Sequence, residues 1–204
     1  MSFVPFPLCL GCTKNPIPTV GAKAPKPKGK RLETMYNNLI LCTMHSKIFQ
    51  ITENRVESEN LLNEDTLTQG DGSYYDYCSN INDEDRKEMI DCLVNKVLPM
   101  GMFTLIGDDE MVYNGGVEEW KKKWVEAIHA KAELVDTENV MDWVGASYQL
   151  EKELENPLHT DFHFYLSEDN CQTYAEPSKE LMKTVSTLEE GAHLYIGGVI
   201  DYHF

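Results

Sequence analysis

Cys9-Leu-Gly-Cys12 and Cys42-Thr-Met-His45 are the two stretches that decide how the N-terminal part of this 204-residue chain folds. In each stretch two residues separate a pair of potential metal ligands, a spacing that lets both members of the pair bind one ion. Thiolates and imidazoles in two such pairs are typical of a closed, four-coordinate structural zinc site. The sequence therefore predicts Zn²⁺ bound by Cys9, Cys12, Cys42 and His45. The alternative is that Cys9 and Cys12 are incidental and that His45 is a surface residue.

The residues around the second pair also carry a family resemblance. Tyr36-Asn-Asn-Leu-Ile-Leu-Cys42-Thr-Met-His45-Ser-Lys-Ile-Phe resembles the second half of HNH-type treble-clef nucleases. In that family an Asn-Leu-Ile stretch leads into Cys-x-x-His or Cys-x-x-Cys. The resemblance spans residues 9–50, about a quarter of the chain. It implies a treble-clef-like module in which Cys9, Cys12, Cys42 and His45 are the structural zinc ligands.

Two departures from the family concern its catalytic histidines. Ser46 stands where active members carry a His after the last zinc ligand, and residues 13–41 contain no His that could act as the general base. A nuclease of this class needs one His to activate water and a second ligand to hold its catalytic metal. The resemblance therefore implies a retained zinc scaffold and a lost active site.

Charge is distributed unevenly along the chain, whose net charge is −16. Residues 1–34 contain six basic residues against Glu33 alone, whereas the remainder contains 12 basic and 33 acidic residues. An acidic body repels nucleic acid and favours basic partners, although acidity also serves solubility alone. We expect a basic protein partner, with any contact to nucleic acid confined to the Lys-rich arm at 23–31.

The cysteines and the hydropathy indicate a compartment. Six cysteines are present, three of them in the predicted zinc site, and Cys92 falls on the apolar side of a predicted helix. This distribution favours a reducing cytoplasm over a disulfide framework. No apolar run approaches the roughly 18 residues of a transmembrane helix, so we expect no membrane insertion. Walker, Rossmann and Gly-x-Ser-x-Gly motifs are absent, which leaves nucleotide-binding and acyl-transfer classes without support.

The order of patterns predicts an α+β fold in three parts. Residues 1–62 form a zinc-binding, treble-clef-like module with a basic Pro/Gly/Lys-rich loop, residues 63–81 a linker or long loop, and residues 82–204 an acidic α+β domain. Because helices and strands alternate without a strict β-α-β order, we expect an antiparallel sheet packed by helices. The predicted helices span 44–51, 83 to Pro99, 117–134, Thr137 to Pro157 and Pro177 to Gly191; the predicted strands span 102–106, 111–113, 159–166 and 192–203.

The last two strands are rich in histidine. In a strand, alternate residues share a face, so His and Asp side chains fall on one face of each strand. If the two strands pair with these faces aligned, one surface gathers His159, Asp161, His163, His193, Asp201 and His203. Two His residues separated by one residue on a strand can bind one metal ion, and an Asp can complete an open catalytic site. The simpler interpretation is an antiparallel sheet with one face on helices and the other in water.

These patterns favour a non-catalytic, zinc-stabilised binding or regulatory protein of the inhibitor, immunity or accessory type. The missing catalytic histidines and the acidic body support this interpretation. The alternative is a metal-dependent hydrolase or nuclease that uses the His and Asp residues of the two C-terminal strands.

Overall fold

The computed structural model describes residues 45–203, and Cys9, Cys12, Cys42 and the Lys-rich arm therefore lie outside the described residues. The described chain contains six strands and four α-helices. In chain order the elements are β1 (His45–Thr52), a 3₁₀ turn (Ser58–Asn60), β2 (Tyr77–Asn80), α1 (Asp83–Cys92) continued by a π turn (Leu93–Val97), β3 (Phe103–Ile106), β4 (Glu110–Tyr113), α2 (Val117–Ala132), α3 (Ala146–Glu155), β5 (His163–Tyr165), α4 (Ser178–Val185) and β6 (His193–His203).

The strands form one mixed sheet in the order β3-β4-β6-β1-β5, and β2 also pairs with β6. All pairings are antiparallel except that of β1 with β5, which is parallel. The α+β class is confirmed, and the expected antiparallel sheet is observed apart from this one pairing. Strands β6 and β1 lie at the centre of the sheet.

Each face of the sheet contributes to a separate apolar cluster. On one face Phe49, Leu194 and Ile196 pack with side chains of α1, the π turn, α2 and α4. On the other face Ile48 and Tyr202 pack under residues from the segment 62–78 and under Ala175. Because both faces are covered, β1 carries five consecutive buried residues from 48 to 52.

A bulge in β6 interrupts its pairing with β1. Phe49 pairs with Val199 but Ile51 pairs with Ile196, so β6 has one extra residue at this point. Two glycines fill the bulge, and at Gly198 an added Cβ would collide with the backbone of Leu62. A bulge changes which side chains share a face, because alternation restarts after the extra residue.

Buried Gln50 holds the bulge in place. Its Oε1 accepts hydrogen bonds from the backbone N–H of Leu62 at 2.9 Å and of Gly198 at 3.1 Å. Its Nε2 donates to the carbonyls of Asn60 at 3.0 Å and Ser167 at 3.1 Å. The amide is fully buried, and all of its donor and acceptor capacity is used. Gln50 thus joins the strand to two neighbouring loops.

Several elements predicted from local patterns are confirmed. The two strands around Gly107-Asp-Asp form the β3–β4 hairpin. The helices that were expected to begin near Asp83, Val117 and Pro177 are present as α1, α2 and α4. In α1 the N-cap is Asn82, and its side chain accepts from the N–H of Asp85 at 2.9 Å.

Three predicted elements are corrected. The segment 44–51, predicted as a short helix, is strand β1, whose double-sided burial removes the alternation that marks most strands. The helix predicted from Thr137 begins only at Ala146, because Asp136 and Asn139 bond neighbouring backbone groups and favour turns. The strand predicted over 159–166 is limited to β5, since His159 has a left-handed backbone with φ 52°.

The described residues belong to one compact unit. The segment 45–62, assigned from sequence to the N-terminal module, includes the central strand β1. The segment 63–81, expected to be a linker or long loop, contributes β2 and the buried side chains of Leu67 and Tyr75. Within residues 45–203 no helix is long and apolar enough to cross a membrane.

Candidate functional site

Of the four predicted zinc ligands, only His45 is among the described residues. It opens β1, and its Nδ1 lies 3.0 Å from Oδ2 of Asp201 on β6. The other oxygen of Asp201 lies 2.5 Å from Nζ of Lys47. The His45 ring also lies 5.5 Å from the ring of His203. Asp201 therefore orients an imidazole and an ammonium group at the same end of the sheet.

The histidine-rich strands do not pair with each other, because β1 lies between β5 and β6. The bulge also divides the polar residues of β6. Val199 packs in the same cluster as Leu194 and Ile196, so Asp201 and His203 align with that face, and His193 faces the opposite side. Among the described residues no group of three or more His, Cys, Asp or Glu side chains could hold a metal ion.

His193 and His203 instead lie in separate carboxylate pairs. Nδ1 of His193 is 2.6 Å from Oε1 of Glu110, whereas Nδ1 of His203 is 3.5 Å from Oδ2 of Asp76. Glu110 also binds Arg55 at 2.6 Å, and the Arg55 guanidinium lies 4.6 Å from the centre of the Tyr195 ring. The hydrogen bond from His193, followed by the contact with Arg55, holds the pKa of Glu110 below its usual value. This arrangement is an ion-pair network that ties β4 to β6.

The other three predicted residues, His159, Asp161 and His163, line a cavity of about 1010 Å³. Its walls come from α3, the start of α4, the segment before β5 and the first residues of β1. Four tyrosines also line it, and none of them was predicted as a site residue from sequence: Tyr74, Tyr148, Tyr174 and Tyr202.

His163 is held by a short hydrogen-bond network at the edge of this cavity. The Tyr202 hydroxyl donates to the carbonyl of Asp161 at 2.7 Å, and Nδ1 of His163 lies 2.6 Å from the same hydroxyl. With Tyr202 donating to Asp161, Nδ1–H of His163 donates to Tyr202, and Nε2 carries the lone pair. Burial lowers the pKa of His163. Nδ1 also lies 3.1 Å from the Asp161 carbonyl, so the ring is held between this carbonyl and the Tyr202 hydroxyl.

His159 is oriented by a buried carboxylate. Its Nε2 lies 2.8 Å and 3.0 Å from the two carboxylate oxygens of Glu153, which is 5% exposed. A positive φ is uncommon for a residue other than glycine and indicates local strain that the surroundings must offset. The strained backbone brings the imidazole to the carboxylate of α3. Sequence reasoning missed Glu153, since nothing in its helical pattern distinguishes it from its exposed acidic neighbours.

The segment between α2 and α3 exposes several large apolar side chains. Five of them lie within residues 134–144, and we call this set the apolar loop surface: Leu134 (61% exposed), Val140 (48%), Met141 (90%), Trp143 (90%) and Val144 (70%). Isolated apolar residues are common on surfaces, but clustered ones mark interaction sites. The sequence places a Trp and a Met among Asp and Gly residues here, but the segment was predicted as part of the helix from Thr137 and was not singled out.

Comparisons with protein-family models, with curated proteins and with solved structures find no match to this chain.

Proposed function

We propose that this chain is a non-catalytic, zinc-stabilised binding protein of the inhibitor, immunity or accessory type, whose partner is a basic protein. The observation that carries the proposal is the excess of carboxylates over the cations that could neutralise them. Within residues 45–203, Lys and Arg side chains form ion pairs with seven of the 33 acidic side chains, and histidines lie beside two more. Six of the 12 Lys and Arg side chains are already in those pairs.

Such a surface has a physical consequence for association. Carboxylates without a neighbouring cation create a negative potential that attracts a positively charged protein and repels nucleic acid. Complementary charge raises the association rate and the selectivity of a complex more than its final affinity. A basic partner would therefore bind faster at low salt, and the acidic surface would discriminate against acidic competitors.

The zinc module remains part of this proposal, and His45 fits its role as a ligand. Metal-binding histidines generally direct their second ring nitrogen at a carboxylate or carbonyl, which fixes the tautomer. The distance of 3.0 Å between Nδ1 of His45 and Asp201 is of this kind. His45 would then bind the metal together with the thiolates of Cys9, Cys12 and Cys42. A structural zinc site of this composition supplies folding energy rather than chemistry.

Metal analysis tests the zinc module and the hydrolase alternative together. We expect about one zinc per chain in untagged protein, and its loss in a Cys9→Ser/Cys12→Ser variant. A Cys92→Ser variant is the matched control, because this cysteine lies outside the predicted ligand set. Zinc-free wild-type protein would contradict the module. Metal that persists in the double variant would indicate a second site and would favour the hydrolase.

A capture experiment tests the partner class. The chain is immobilised, exposed to cell extract at low salt and eluted with increasing salt, and each eluted protein is purified and titrated back. The proposal predicts a basic partner whose association slows steeply with ionic strength, since screening extends over about 8 Å at physiological salt. A reconstituted partner that is acidic, or whose binding is independent of salt, would overturn it.

A further inference from the structure

We infer that the apolar loop surface is the docking site for the basic partner, and that the partner presents an apolar stripe flanked by Lys or Arg. This inference rests on the proposed function and adds the place and the chemistry of contact. Trp and Met are among the residues enriched in protein interfaces, and Trp is a frequent hot-spot residue. Here both side chains are 90% exposed and lie two positions apart, in Met141-Asp-Trp143.

The rim of the surface sets the charge of the occupant. Four acidic residues interleave with the five apolar ones: Glu133, Asp136, Glu138 and Asp142. From 132 to 151 the sequence contains no Lys, Arg or His. A partner with cations beside its apolar stripe would pair with this rim, whereas an acidic or neutral partner would leave the carboxylates without compensation.

The same charge pattern disfavours a second copy of this chain as the occupant. In a symmetric dimer each surface meets an identical one, so the two acidic rims would face each other. Like charges at such short range oppose association. The composition of the surface therefore favours a different, basic chain.

The loop is internally bonded, which makes the exposure of its apolar side chains a property of a defined conformation. Asp136 and Asn139 exchange bonds: each backbone N–H donates to the side-chain oxygen of the other, at 3.0 Å and 2.9 Å. Nδ2 of Asn139 donates to the carbonyl of Leu134, and the Ser147 hydroxyl donates to that of Val140. A preorganised surface loses less conformational entropy on binding than a flexible one.

Two synthetic peptides of identical composition provide the test with full-length protein. One is a helical peptide with Leu at every third or fourth position and Arg between them, and the other is a scrambled version without the apolar stripe. Binding is measured by fluorescence anisotropy of the labelled peptides. Since Trp120 and Trp124 also fluoresce, docking at Trp143 is read from the change in tryptophan emission that is absent from Trp143→Ala. We expect the patterned peptide to bind at least about tenfold tighter than the scrambled one and to shift the emission to shorter wavelength.

Substitutions on the protein locate the contact. Trp143→Ala and Met141→Ala should each weaken the binding of the patterned peptide roughly tenfold or more, as expected for central interface residues. Met100→Ala is the matched control, because Met100 is 98% exposed but lies outside the apolar loop surface. It should leave the affinity unchanged, and Glu138→Gln should weaken binding mainly at low salt.

The outcomes separate the docking site from the general proposal. Equal binding of both peptides, unaffected by Trp143→Ala, would overturn the docking site and leave acidic attraction of basic partners in place. Absence of binding by either peptide would overturn the docking site as well. Concentration-dependent dimerisation in sedimentation, abolished by Trp143→Ala, would assign the surface to self-association and reject the basic occupant.

Discussion

Two tryptophans of this chain differ completely in their surroundings. Trp120 on α2 is 4% exposed, and its Nε1 donates to the carbonyl of Pro157 at 3.2 Å. Trp143, in the following loop, is 90% exposed. The first packs in the cluster between helices and sheet, and the second belongs to the apolar loop surface. The comparison teaches that hydropathy alone does not separate side chains that stabilise the fold from side chains available to a partner.

Truncating the two tryptophans gives the largest contrast. Trp120→Ala should lower the free energy of unfolding by about 3–5 kcal/mol, because it removes a buried ring and leaves a cavity. Trp143→Ala should change it by less than about 0.5 kcal/mol, as most exposed substitutions do. Urea denaturation of both variants measures the difference. A loss of stability in Trp143→Ala as large as that in Trp120→Ala would show that Trp143 is part of the core.

The same contrast holds for polar side chains at Gln50 and Gln149. Gln50→Ala should lower the free energy of unfolding by roughly 3 kcal/mol, since the lost amide leaves two buried N–H groups and two carbonyls without their partner. Gln149 on α3 is exposed, and Gln149→Ala should have little effect. Equal unfolding midpoints for the two variants would contradict the structural role of Gln50.

The parts of the fold that sequence predicts well are those fixed by nearby residues. The β3–β4 hairpin follows from two short apolar runs around Gly107, and α1 follows from apolar spacing that ends at Pro99. The central strand β1 could not be recognised, because its burial on both faces depends on distant segments. The bulge in β6 depends on Gln50 and on the backbone of Leu62, which no local pattern specifies.

The candidate site was predicted less well for the same reason. A regular strand predicts that His193 and His203 share a face, but the extra residue at the bulge separates them. The contact of His159 with Glu153 requires a left-handed residue that its sequence neighbours do not demand. The apolar loop surface depends on the bonds between Asp136 and Asn139, which replace the predicted helix by a loop.

A coupled pair at the bulge gives a smaller effect. A Cβ at Gly197 would collide with the Gln50 side chain, so Gly197→Ala should destabilise the protein. A Gln50→Ala background removes the side chain that the new Cβ would meet. There the loss of unfolding free energy caused by Gly197→Ala should be smaller by about 1 kcal/mol. A double-mutant cycle by urea denaturation measures this coupling. Strict additivity would mean that the two residues do not constrain each other.

The smallest effect that we expect is the contribution of His163 to the pH dependence of the free energy of unfolding. Burial lowers its pKa, opposed by the Asp161 carbonyl and by the charges of Asp161 and Glu155, whereas Lys152 adds to the lowering. Between its folded pKa and the ordinary value of about 6.5, the unfolded chain binds more protons than the folded one. Stability should therefore fall as the pH drops below about 6.5, and this component should be absent from His163→Asn.

Urea denaturation between pH 5.5 and pH 7.5 tests this sign. The exposed His129 of α2 supplies the matched control, and His129→Asn should retain the wild-type slope. Asn at 163 keeps a hydrogen-bond donor near the Tyr202 hydroxyl. The comparison therefore separates the effect of protonating the imidazole from the effect of losing its hydrogen bond. A slope in His163→Asn equal to that of the wild type would mean that the half-buried imidazole contributes nothing to the acid sensitivity of folding. The histidine on the cavity would then differ from the exposed one in burial but not in its effect on folding.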